Sequence, residues 1–135
     1  MEALKGRRIL GLFLSKDHQT LFFLMNEKDQ NGNFIILFEV EGDCCSRSYY
    51  ADIQGVDALI GAELDDFEIL DETSENAEYD GQIITYGIKL KTDRGYATIT
   101  YRNDNNGYYS GWMNPPLHSS ELPANLIEIR DDWSL

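Results

Sequence analysis

Gln82 to Arg102 constrains the fold most. Ile84, Tyr86, Ile88 and Leu90 fall on one face of an extended segment, with Thr85, Lys89 and Lys91 on the other. Asp93-Arg94-Gly95 follows, a hairpin turn with glycine at the position that favours a left-handed backbone. Tyr96 to Arg102 then alternates again, with Ala97, Ile99 and Tyr101 inward. Side chains alternate across a strand, so a period of two in both arms commits them to an antiparallel pair with one buried face.

Most other segments read as strands too. Arg8 to Leu14 and Thr20 to Met25 are short apolar runs joined by the polar connection Ser15 to Gln19. Asn31-Gly32 is a strong turn dipeptide, and Phe34 to Glu41 after it begins apolar and ends alternating. Tyr49 to Gly61 predicts the one helix. Asp52 suits its start, Ile53, Val56, Leu59 and Ile60 recur at helical spacing, and Gly61 suits its stop. Ala62 to Glu72 reads as a strand whose period breaks at Asp65-Asp66, which predicts a bulge. Thr73 to Gly81 reads as an acidic loop and Asn103 to Asn106 as a turn cluster. Leu126 to Arg130 reads as a last strand before an acidic tail. The expectation is one domain over residues 1–135, of α+β class. It has roughly six to eight strands, mostly antiparallel because the connections are short, with one short helix packed on the sheet.

The chain has 135 residues, 42% of them apolar, enough for a real core and too many for a disordered chain. No apolar run approaches the roughly 18 residues of a membrane span, and Ile9 to Leu14 is too short for a secretion signal. The only two cysteines are adjacent, which gives no disulfide framework and agrees with a cytoplasmic location. Eleven basic residues against 24 acidic ones leave a net charge of −13. Such a chain repels nucleic acid and anionic membranes and attracts basic partners. From Ser48 to Ile88 there are eleven acidic residues and no Lys or Arg. Within it Glu63, Asp65, Asp66, Glu68, Asp71, Glu72, Glu75, Glu78 and Asp80 read as a partner-binding surface. Carboxylates spaced along a strand and loop imitate a phosphate track. The plainer alternative is a solvated edge that resists aggregation.

Cys44 and Cys45 sit in Gly42-Asp43-Cys44-Cys45-Ser46, where the apolar run ends. Thiolates are zinc ligands, but neighbours in a strand point to opposite faces, so both reach one ion only if the backbone turns between them. His118, after Pro115-Pro116-Leu117, is the better imidazole candidate for a third ligand; His18 reads as a solvated turn residue. A free cysteine pair and a strained vicinal disulfide remain open beside the metal reading. Tyr49, Tyr50, Tyr108, Tyr109 and Trp112 read first as sheet packing and second as interface anchors. There is no GxSxG, HExxH, P-loop or dinucleotide-binding glycine turn, so no enzyme is expected.

Three segments carry a resemblance that covers most of the chain: Gly42 to Ser48, Ile53 to Ala62, and Asn105 to Gly111. They resemble a family of small proteins from phages and prophages with a GDCCS-type motif, an LIGA-type segment and an NGYY-type turn. Size and acidity also resemble zinc-containing anti-CRISPR inhibitors of Cas9-type nucleases. That resemblance implies a binding protein that stops target DNA from loading, with structural zinc at Cys44 and Cys45. The alternative it leaves is a phage structural or accessory module without an enzyme target.

Overall fold

The computed structural model describes residues 1–76, 81–107 and 109–135. Its chain forms twelve strands among those residues. They are β1 (Ile9–Leu14), β2 (Thr20–Met25), β3 (Ile35–Gly42), β4 (Arg47–Gln54), β5 (Leu64–Ile69), β6 (Thr73–Asn76), β7 (Gln82–Thr92), β8 (Gly95–Asn105), β9 (Gly111–Met113), β10 (Leu117–Ser119), β11 (Ile127–Glu128) and β12 (Trp133–Ser134). One sheet runs β10-β3-β2-β1-β11, with β9 also on β3; the other runs β12-β4-β8-β7-β5, with β6 also on β7. Every ladder between strands is antiparallel.

One core joins the two sheets. Leu12, Leu14, Leu21, Phe23, Phe38 and Val40 from the first meet Tyr50, Ile53, Ile88, Leu90, Ile99 and Tyr101 from the second. Fully burying a side chain of this size contributes roughly 1.5–3 kcal/mol. The Tyr50 hydroxyl, inside this core, donates to the Phe38 carbonyl at 2.9 Å. The β7–β8 hairpin is in register from Gln82↔Asn105 to Thr92↔Gly95, and Gly95 takes φ 136° at its turn. Its alternation is the one the sequence predicts, with Ile88 and Leu90 buried and Lys89 and Lys91 exposed.

The α+β expectation is overturned: the fold is essentially all-β. Among the described residues helix is reduced to a 3-10 turn at Glu2–Leu4 and one α-helical turn, α1 (Val56–Leu59). Tyr49 to Gln54, expected in the helix, extend β4 and bury Tyr50 and Ile53. The helical spacing of Ile53, Val56, Leu59 and Ile60 straddles two elements. Gly55 separates them at φ 77°, where an added Cβ would run into the Tyr96 backbone. Asp52 caps nothing there; the Val56 N–H is capped by the Asp132 carboxylate, 76 residues away, at 3.0 Å.

The expected bulge is present, since the β5–β7 register shifts between Leu64 and Asp66. Two other expectations are corrected. Thr73–Asn76 is a strand instead of a loop and Trp133–Ser134 is a strand in the supposed tail; His118 lies in β10, for which no strand was expected. Each of these strands is two to four residues long and borrows its order from a longer partner, which leaves little periodicity to read.

Each sheet has one edge covered by two short strands end to end. β9 and β10 both lie on the edge of β3 that faces away from β2. β5 and β6 both lie on the edge of β7 that faces away from β8. The breaks fall at Asn114-Pro115-Pro116 and at Leu70-Asp71-Glu72.

Candidate functional site

Two features stand out: a polar cluster under the cysteine loop and a groove between the two broken edges. The cluster begins on β8. Its inward positions run Ala97, Ile99, Tyr101, Asn103 and Asn105, so the last two place amides where the core would continue. Asn103 is 0% exposed. Its Nδ2 donates to Ser48 Oγ at 2.9 Å and to Ser46 Oγ at 3.1 Å. Its Oδ1 accepts from Asn105 Nδ2 at 2.9 Å, and Asn105 Oδ1 accepts from the Gly107 N–H at 2.7 Å. Ser48 Oγ donates to the Glu41 carbonyl and Ser46 Oγ to the Asp43 carbonyl. A fully satisfied network of this kind fixes the positions of the loops it joins.

Those loops are the two most distinctive segments of the sequence. The Asp43 N–H donates to the Ser110 carbonyl at 3.2 Å, and the Ser110 N–H donates to the Asp43 carboxylate at 3.2 Å. Gly42 faces Gly111 across the β3–β9 ladder. A Cβ on Gly42 would collide with Asn103 and Ser46, and one on Gly111 with Ser48 and Asn103. Glycine at both positions, the two serines and the asparagines therefore belong to one structural unit. Sequence reasoning took Asn103 to Asn106 for a turn; the continued period of two from Ala97 was the signal that places Asn103 and Asn105 inside.

Cys44 and Cys45 project from this unit and are exposed. Cys45 has φ 73°, a left-handed backbone that costs a non-glycine residue roughly 1–2 kcal/mol. That turn brings the two Sγ atoms to 3.3 Å from each other on one side of the loop. The hydrogen bond with Cys44, then the nearness of Cys44's charge, pushes the Cys45 thiol pKa up.

His118 is not brought to the thiols. It pairs with Ile36, six residues before Gly42 on β3, which is roughly 20 Å along a strand. Its Nδ1 lies 3.6 Å from the Asp29 carboxylate instead. Among the described residues no group of three or more His, Cys, Asp or Glu is placed to hold a metal ion. A closed zinc site needs about four ligands, and one chain offers two thiols here. His18 is half-buried, stacked edge-to-face on Trp133 at 5.2 Å, and its carbonyl accepts from the Tyr50 N–H.

The acidic residues gather on the β5–β6 edge. Asp65, Asp66, Glu68, Asp71, Glu72 and Glu75 are exposed and Glu63 is half-buried; Glu78 and Asp80 lie outside the described residues. The first part of this run is partly neutralised by cations distant in sequence. Glu63 lies 3.6 Å from Arg8, and Asp66 lies 3.4 Å from Lys5. Asp66 and Glu68 stand opposite Lys91 and Lys89 across the β5–β7 ladder. Asp71, Glu72 and Glu75 make no ion pair among the described residues.

An apolar groove begins at Ile69-Leu70, just before those residues. It has a volume of about 460 Å³ and runs between Ile69-Leu70 and the segment Trp112 to Pro116. Met1, Phe38, Tyr86 and Tyr101 also line it, and among the described residues no charged side chain does; burial lowers the pKa of the Met1 α-amino group. Ile69 is 66% and Trp112 41% exposed. Carboxylates stand around it. Burial raises the Tyr86 hydroxyl pKa, and the charges of Glu72 and Asp43 add to the effect. Burial likewise pushes Tyr101 up to about 12, with help from Tyr86 and Glu72. At the Asn114 end Glu39 and Glu41 share a hydrogen bond that raises Glu39 and lowers Glu41, and the Asn114 side chain also holds Glu41 down. Of the aromatic residues, Tyr50 is core, Tyr49 lies under Arg47 at 5.2 Å, and Tyr108 is outside the described residues.

The small all-β scaffold thus carries an open apolar groove with Glu72, Asp43 and Glu41 close to its lining residues. The chain belongs to the family described as Domain of unknown function (DUF7448), whose model matches residues 2–114. The match includes the cysteine loop, the asparagine cluster and the Trp112 side of the groove; β10, β11 and β12 lie beyond it. No curated protein and no solved structure matches the chain. Among the described residues no helix is long and apolar enough to cross a membrane.

Proposed function

We propose that this chain is a binding protein that acts in the cytoplasm on a basic, nucleic-acid-handling partner. One observation carries the reading: Glu72, without an ion pair among the described residues, stands close enough to Tyr86 and Tyr101 of an apolar groove to raise both hydroxyl pKa values, and no basic side chain of the described residues lines that groove. Such an arrangement suits a partner that offers an apolar anchor flanked by Lys or Arg. Charge attraction speeds encounter, and the buried anchor sets how long the complex lasts. A groove that normally holds the phosphates of DNA has the matching charge, and an occupied groove no longer loads DNA.

A Cas9-type nuclease is the partner to test first. It has a positively charged channel, and the GDCCS, LIGA and NGYY segments resemble phage proteins. In a target-loading assay with guide-loaded nuclease, the chain blocks binding of duplex DNA. The triple variant Asp71→Asn, Glu72→Gln, Glu75→Gln loses about tenfold or more in potency, and so does Trp112→Ala, a loss typical of interface anchors. Raising salt weakens the wild type more than the triple variant, because only exposed charge pairs are screened. Undiminished DNA loading at saturating chain, or equal potency of all three proteins, contradicts the proposal.

A further inference from the structure

We propose that the apolar groove takes a proline-rich segment of the partner in the polyproline II conformation, with Arg or Lys beside the prolines. This holds only where the groove is the docking surface of the chain, and it names the segment that enters.

The hydrogen-bonding groups of the groove decide between kinds of segment. A docking strand needs a sheet edge with free N–H groups. Along the wall from Gly111 to Pro116 each backbone N–H is already taken or missing. The Gly111 N–H donates to the Tyr86 hydroxyl at 3.1 Å, and the Met113 N–H hydrogen-bonds the Tyr101 hydroxyl. Trp112 is paired with Glu41 in the β3–β9 ladder. The Asn114 N–H donates to the Glu39 carbonyl at 2.8 Å, and Pro115 and Pro116 have no N–H. Across the groove the Leu70 N–H donates to the Gly87 carbonyl at 2.9 Å. A strand therefore finds no ladder to join on the Trp112 wall.

What the groove does offer is aromatic faces and phenolic protons. The Tyr86 and Tyr101 rings stack with centroids 4.9 Å apart and planes 15° from parallel. Burial keeps both phenols protonated, and a hydroxyl that accepts from a backbone N–H still has one hydrogen bond to donate. The acceptor that suits it is a carbonyl. A helix closes its carbonyls on its own N–H groups, whereas polyproline II has no internal hydrogen bonds and leaves them free. The Trp112 indole N–H donates to Asn114 Oδ1 at 2.9 Å, which fixes a half-exposed ring against which a proline can pack. A segment already ordered in solution also loses little conformational entropy on docking. Charge selects what stands beside the prolines. Glu72 lies near both tyrosines, Asp43 near Tyr86, and Glu41 on the Asn114 side chain.

The test titrates the full chain, labelled with nitrogen-15, with three capped peptides that carry the same arginine pair at each end. Their centres are proline, alanine, or alternating threonine and valine. The Trp112 indole N–H resonance reports the groove and that of Trp133 serves as the control; Trp112→Phe assigns the two. The expected result is that the proline peptide shifts Trp112 alone and binds about tenfold tighter than either other peptide. Trp112→Ala and Tyr86→Phe each weaken it by about fivefold or more, while their circular dichroism stays that of the wild type. Equal affinity for all three peptides, or tightest binding of the threonine–valine peptide, overturns polyproline recognition and leaves the groove as a docking surface. A Trp112 resonance that moves with none of them also overturns it. The docking surface itself falls with it if Trp112→Ala still blocks DNA loading at wild-type potency.

Discussion

Asn103 is the residue on which the cysteine loop depends. Its amide holds Ser46 and Ser48 from one side and Asn105 from the other, at full burial. Replacing it by alanine leaves hydroxyl and amide groups buried without partners, which costs more than the hydrogen bonds themselves contribute. Asn103→Ala should therefore lower unfolding free energy by about 2 kcal/mol, read from the midpoint of urea denaturation at unchanged slope. A change within about 0.5 kcal/mol, the range of ordinary surface substitutions, contradicts the structural role. The GDCCS and NGYY segments were legible as special in the sequence; their contact was not. A glycine says that a Cβ does not fit, without saying against what. Only the register of β3 on β9 and of β4 on β8 brings Gly42, Ser48, Asn103 and Gly111 together.

At the scale of elements, β1, β2, β3, β5, β7, β8 and even the short β11 were readable, whereas β4, β6, β10 and β12 were not. β7 and β8 carry eleven residues each, and their alternation declares both pairing and facing. β4 was misread because Ile53, Val56, Leu59 and Ile60 satisfy a helical period by coincidence across the Gly55 corner. β6 consists of Thr73–Asn76, all exposed, so no apolar periodicity announces it. The β7–β8 turn also links to β5. The Glu63 N–H donates to Asp93 Oδ1 at 3.0 Å, and Arg8 lies 3.5 Å from Oδ2. That N–H first, and Arg8 after it, hold the Asp93 carboxyl below the ordinary aspartate value of 3.8. A group with a depressed folded pKa stabilises the fold fully above its unfolded pKa, and loses that stabilisation as pH falls through the folded value. Thermal melts should therefore drop below about pH 4, and Asp93→Asn should flatten that drop while lowering the neutral-pH melting temperature. An identical pH profile for the variant and wild type contradicts this role.

On the scale of the whole molecule, the charge of −13 was plain from composition, but its arrangement was not. A run with no Lys or Arg looked uniformly negative. Folding divides it, because Lys5, Arg8, Lys89 and Lys91 come from distant sequence to face its first part. Of the carboxylates left without an ion pair among the described residues, Glu72 lies near a groove that both broken sheet edges line. Neither break is a motif, so the groove had no sequence signature beyond Pro115-Pro116. The surface assigned to partner binding is therefore narrower than the acidic run and partly different in chemistry. Amide hydrogen exchange of the chain, free and bound to guide-loaded Cas9-type nuclease, tests that assignment most directly. The account predicts slowed exchange at residues 69–76 and 111–114, with the Asp29–His118 end unchanged. Protection confined to that opposite end, or none anywhere, contradicts it.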